Sequence, residues 1–66
     1  MNYQKDDLIK LLEDKQILEG IFLKKGTLVY VNDIQGEEIC VSETNSDYSF
    51  WISSINTTLI ERISNN

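Results

Sequence analysis

The 66-residue sequence predicts a mainly-β domain, with an N-terminal amphipathic α-helix followed by a five-stranded small barrel. Three observations lead there. Apolar residues up to Leu18 recur at the spacing of one helix face, after Gly20 the period drops to two, and small polar turn clusters then divide the chain at short, even intervals.

The helix is expected over residues 6–18. Leu8, Leu11, Leu12 and Lys15 form its stripe, with Ile9 beside it. Asp6 and Asp7 stand where negative charge favours a helix start, and either could cap it. Lys5, Lys10, Glu13 and Asp14 cover the other faces as a solvated surface, and Gly20 supplies the stop.

The barrel is expected over residues 20–63. Ile21-Phe22-Leu23 reads as a short strand that Lys24-Lys25-Gly26 turns back. Thr27 to Ile34 is rich in β-branched and aromatic residues, and Gln35-Gly36-Glu37 turns it. Ile39 and Val41 alternate with Glu38, Cys40 and Ser42. Thr44 to Asp47 is a polar turn whose side chains bond their own backbone. Tyr48, Phe50 and Ile52 alternate with Ser49 and Trp51 in a fourth strand. After a short connection, Leu59, Glu61 and Ile63 alternate in a fifth, and Ser64 to Asn66 form a frayed tail.

Composition narrows the function. A chain of this length buries only about 60% of its unfolded surface, so small domains often lean on disulfides, metals or oligomerisation. Cys40 is the only cysteine and there is no histidine, which removes an internal disulfide and the usual zinc ligand sets. Oligomerisation remains as the expected support. A lone thiol suits a reducing cytoplasm, and Cys40, inside an apolar run, reads as a small buried hydrophobe. No apolar run approaches the roughly 20 residues that span a bilayer, and the N-terminus lacks a basic-then-apolar signal pattern, so no membrane role is expected.

Catalysis needs an activated nucleophile, a metal cluster or paired carboxylates in a cleft. Without histidine the Ser-His and Cys-His arrangements cannot form, and Glu37-Glu38 diverge as neighbours on a turn. No phosphate-cradling glycine loop is present. The chain is expected not to be an enzyme and to require neither cofactor nor metal. Its net charge of −5 argues against broad phosphate binding.

Leu8-Ile9 at the helix start, Asp6 just before it, and Ile21-Phe22-Leu23-Lys24-Lys25-Gly26 at the first hairpin fall at one family's spacing. Trp51 to Thr57 matches that family's second signature once the middle strands are shortened. Together these features resemble the Sm-like proteins, in particular their bacterial Hfq-like branch, as a divergent member. The resemblance implies a homo-oligomeric ring of six or seven, with the strand Tyr48–Ile52 of one subunit paired to Leu59–Ile63 of the next. Tyr48, Phe50, Trp51, Ile52, Leu59 and Ile63 would line that interface.

The sequence departs from the family pattern at two RNA sites. Ile52-Ser53 replace its Lys-His pair, and Glu13-Asp14 replace the arginine patch of its helix. Lys5 stands for a glutamine and Val31 for a strand glycine. The face that binds adenine-rich RNA is better kept: Phe22, Lys24, Lys25, Gly26 and Thr27 occupy its positions, and base stacking there needs little positive charge. A second resemblance points elsewhere. Gly26 to Val31 followed by Trp51-Ile52 is similar to SH3-like chains, which usually start with a strand. On that reading Trp51, Tyr48 and Tyr30 form an aromatic groove for a protein partner, and the chain is an acidic interaction module or a small regulatory or inhibitor protein without RNA. The expected N-terminal helix favours the ring, whereas the acidity favours the interaction module.

Overall fold

A computed structural model describes residues 2–63. Seven strands make up the regular structure: β1 (Leu8–Leu11), β2 (Lys15–Leu18), β3 (Ile21–Leu23), β4 (Leu28–Gln35), β5 (Glu38–Glu43), β6 (Phe50–Ser53) and β7 (Thr57–Glu61). β3 to β7 fall where the alternating pattern places strands. The helix expected over residues 6–18 is absent; β1 and β2 stand in its place, so the mainly-β fold with an N-terminal helix becomes an all-β fold. Ser64 to Asn66 lie outside the described residues. Among the described residues no helix is long and apolar enough to cross a membrane.

The physical reason for the correction is visible in the burial of residues 8–17. Ile9 and Leu11 are fully buried, and Lys15 and Ile17 face the same interior two residues apart. Leu12, which a helix stripe would bury with Leu8 and Leu11, is exposed. Over so short a run the helical and extended patterns overlap, and long-range pairing decides between them. β1 pairs antiparallel with β4 on one side, Ile9 opposite Val29, and with β7 on the other, Ile9 opposite Leu59. A helix there would leave both neighbours with an unpaired edge.

The larger sheet runs β6-β5-β4-β1-β7, and β2 and β3 form a separate hairpin that lies against β6. This arrangement is compatible with a small β-barrel. Tyr3, Ile9, Leu11, Leu23, Val29, Val31, Ile39, Val41 and Ile52 fill its interior. Gly20, expected to stop a helix, instead turns the β2–β3 hairpin with φ +77°. Gly36 begins the two-residue β4–β5 turn with φ +61°, the positive angle that tight hairpin turns demand.

The segment before β1 is held by Asp7 rather than capped by it. The buried Asp7 carboxylate accepts the Gln4 backbone N–H at 2.8 Å. It also takes both arms of Arg62, Nε at 3.0 Å and Nη2 at 2.9 Å. Arg62 follows β7 directly, and its Nη2 also donates to the Asn2 carbonyl at 3.2 Å. The Arg62 hydrogen bonds hold the Asp7 carboxyl below its usual range against the opposing effect of burial, with the Gln4 N–H adding to the lowering. Asp6 takes a left-handed φ of 75°, which aspartate tolerates, and its N–H donates to the Val31 carbonyl at 2.7 Å.

A second polar tie closes the β1–β2 bend. The buried Lys15 ammonium donates to Glu13 Oε2 at 2.9 Å and to the Ile55 carbonyl, while Asn56 Nδ2 donates to Glu13 Oε1 at 2.9 Å. These donors, Lys15 first and Asn56 second, keep the Glu13 carboxyl below its ordinary value. Tyr3 hydroxyl and Thr57 Oγ1 meet at 2.7 Å, and Thr57 donates to the Ser54 carbonyl at 2.5 Å.

Two outcomes are expected. Ile9→Ala should lower unfolding free energy by about 3 kcal/mol through loss of buried volume, and Leu12→Ala by less than about 1 kcal/mol, measured by urea denaturation; equal costs would restore the helical stripe. Because folding lowers the Asp7 pKa, its contribution is complete above about pH 4 and drains away as pH falls through the folded value. The urea-midpoint difference between wild type and Asp7→Asn should therefore be larger at pH 6 than at pH 2.5, and a constant difference would contradict the pairing.

Candidate protein-interaction face

Alternation along β4, β5 and β6 sorts the residues of these strands onto two faces. Val29, Val31, Ile39, Val41 and Ile52 point into the core. Tyr30, Cys40, Ser42 and Trp51 point out, and a bulge between Val31 and Asp33 adds Asn32 and Asp33 to the outer side. Two cross-strand rows result. Tyr30 lies opposite Ser42, and Asn32 Nδ2 donates to Ser42 Oγ at 3.2 Å and to Ser49 Oγ at 3.3 Å, which ties the three strands together. In the neighbouring row Asp33 and Trp51 lie on either side of Cys40. Gln35, Glu38 and Ser53 continue the face beyond it.

Trp51 keeps 45% of its surface exposed on this face, and Tyr48, just before β6, keeps 76%. Tyr48 is presented by a closed turn: Ser46 N–H donates to the Glu43 carbonyl and Ser46 Oγ accepts the Tyr48 N–H, both at 3.2 Å. Tyr30 is half-buried. Of the three aromatics that the sequence singles out as a groove, Tyr30 and Trp51 lie on the outer side of the sheet and Tyr48 is exposed in the segment before β6; the described residues enclose no pocket. Cys40, expected as a buried hydrophobe, is a half-buried free thiol on this outer face.

The remaining predicted interface residues divide. Ile52 is buried and Phe50 packs against the core, so both serve the fold. Leu59 and Ile63 are exposed, Leu59 on β7 and Ile63 just beyond it. β6 and β7 are the two outer strands of the five-stranded sheet, joined by residues 54–56.

The predicted RNA residues cluster at the β3–β4 turn. Phe22 is 52% exposed on β3 opposite Gln16, and Leu18 and Ile21 are exposed beside it at the hairpin end. Lys24 and Lys25 are exposed, Gly26 takes φ +91°, and Thr27 leads into β4. The Lys25 N–H donates to Asp14 Oδ1 at 2.7 Å, which sets a carboxylate into the same loop as the basic pair.

The charge on the aromatic face is a feature that element-by-element reading of the sequence missed. From Gly26 to Glu61 there is no lysine or arginine, while Asp33, Glu37, Glu38, Glu43, Asp47 and Glu61 all fall within that segment. A tally of charge by segment would have found it. Among the described residues the ion pairs are Lys15–Glu13 and Arg62–Asp7, so neither Asp33 nor Glu38 is neutralised by one. Comparison with family models, curated proteins and solved structures finds no match.

Exposure separates the two neighbours on β6. Trp51→Ala should cost less than about 1 kcal/mol in urea unfolding, and Ile52→Ala about 2–4 kcal/mol. Comparable losses would mean that Trp51 serves the core.

Proposed function

We propose that this chain is an acidic interaction module of the SH3-like kind, which recognises another protein through the outer face of β4, β5 and β6. The observation that carries the reading is the exposure of Trp51 on the outer face of β4, β5 and β6, three strands that hold no lysine or arginine, with Tyr48 exposed in the segment just before β6. Exposed aromatics are the residues that most often anchor protein interfaces, and here they are not needed to close the core. A carboxylate-bearing face disfavours phosphate, which speaks against nucleic acid as the partner on this side. The chain also begins with a strand, as SH3-like chains do, so the helix that tipped the sequence toward an Sm-like ring no longer argues for it. The module acts as a monomer in the cytoplasm, where Cys40 stays reduced.

Photo-crosslinking tests this reading. A benzophenone side chain at position 51 should capture a protein of discrete mass in lysate of the source cells, and excess unlabelled wild type should compete it away. The Tyr48→Ala/Trp51→Ala double variant, confirmed folded by its amide spectrum, should not compete. The same group at position 22 should capture no RNA, and sedimentation should give a mass near 7.6 kDa. RNA captured at position 22 together with a ring-sized mass would overturn the proposal in favour of the Sm-like reading.

A further inference from the structure

The charge and chemistry of this face specify the partner further, on the footing of the interaction reading above. We infer that the partner docks a lysine- or arginine-bearing segment across the outer face of β4 and β5, seating a cationic side chain over the Trp51 indole. Trp51 sits opposite Cys40, with Asp33 on the far side of Cys40 and Glu38 one step along β5. Strand spacing sets Asp33 about 10 Å from Trp51 and Glu38 on a diagonal of about 7 Å. A cation over the indole therefore meets a ring face with the Glu38 carboxylate on the neighbouring diagonal, and Asp33 two strands away adds to the negative field. Tryptophan is the aromatic on which such contacts are strongest, and arginine adds planar stacking.

Charge complementarity selects this occupant over the others. Neither Asp33 nor Glu38 has an intramolecular cation among the described residues, and no lysine or arginine lies anywhere from Gly26 to Glu61. A second copy docked face to face would bring the same negative surface and be repelled. An acidic or phosphate-bearing partner would be repelled likewise. A purely apolar segment would desolvate the Asp33 and Glu38 carboxylates with no cation to offset the cost, the Ile34 N–H at 2.8 Å being a neutral donor to Asp33. The hydroxyl and amide groups of Ser42, Ser49 and Asn32 in the adjoining row supply neutral hydrogen-bonding capacity for the backbone of an extended segment.

Amide shift mapping on the isotope-labelled chain tests the inference, using a ten-residue peptide of alternating lysine and serine. The same peptide with glutamate for lysine serves as control. At low salt the lysine peptide should move the Trp51 indole, Cys40 and Ser42 signals, and the glutamate peptide should move none. Trp51→Ala and the Asp33→Asn/Glu38→Gln pair should each weaken binding about two- to fivefold, while Asp14→Asn in the β1–β2 bend leaves it unchanged. Shifts centred on Asp14 and Glu19, or binding indifferent to Trp51→Ala, would overturn the inference. Protein capture through position 51 without any response to the lysine peptide would overturn the cationic assignment alone. Failure of both would overturn the interaction reading with it.

Discussion

The buried carboxylate of Asp7 is the interaction on which the rest of this small protein hangs. It sits at the entry to β1 and is gripped from two directions, by the Gln4 backbone and by the fork of Arg62. Arg62 follows the last strand, so this one group joins the two ends of the described chain and sets β7 beside β1. Burying an ion costs several kcal/mol unless its lone pairs are filled, and three donors fill them here. What that contact secures is an interior position for β1, paired on both sides. Ile9 and Leu11, on four residues of strand, then become the middle of the core rather than one side of a peripheral helix.

From that interior strand the candidate face follows. With β1 and β7 on one flank and the β2–β3 hairpin against β6, the inner sides of β4, β5 and β6 are consumed by valine and isoleucine. Their outer sides have no remaining structural duty beyond the Asn32 ties to Ser42 and Ser49. Trp51 stands there partly exposed to water, and Tyr48 is exposed in the segment just before β6. Four of the six cations lie elsewhere, Arg62 on Asp7, Lys15 on Glu13 and Ile55, and Lys24 and Lys25 at the β3–β4 turn, while Lys10 stands on the outer side of β1 opposite Leu28. The separation of charge across the molecule is thus partly a by-product of how its two polar ties are built.

The second half of the fold was legible in the sequence because there the local rules agree. In β4 and β5 the residue alternation, the β-branched content and a glycine at the turn all point to one hairpin, and the structure has it, Val31 against Val41 and Gln35 against Glu38. The first half was not legible because the local rules conflict. Leu8, Leu11, Leu12 and Lys15 fit a helical stripe, while Ile9, Leu11, Lys15 and Ile17 fit two short strands broken by a bend. Only the partners decide, and β4 and β7 lie some twenty and fifty residues away in the chain. Asp6 and Asp7 misled for a related reason: each has a backbone duty, but Asp7 serves Gln4 and a remote arginine rather than a helix N-terminus. On the candidate face the aromatics were legible one by one. Their grouping with Asp33 and Glu38 required the register, because the bulge at Asn32 turns Asp33 outward.

The central claim is that residues 8–11 form an interior strand of the sheet, paired between β4 and β7. Nuclear Overhauser contacts measure this directly in solution. Cross-strand contacts from the Ile9 backbone to both Val29 and Leu59 are expected, with none of the three-residue-spaced contacts that a helix over residues 6–18 would produce. The helical contacts, appearing without the two cross-strand ones, would contradict the claim and with it the placement of the aromatic face.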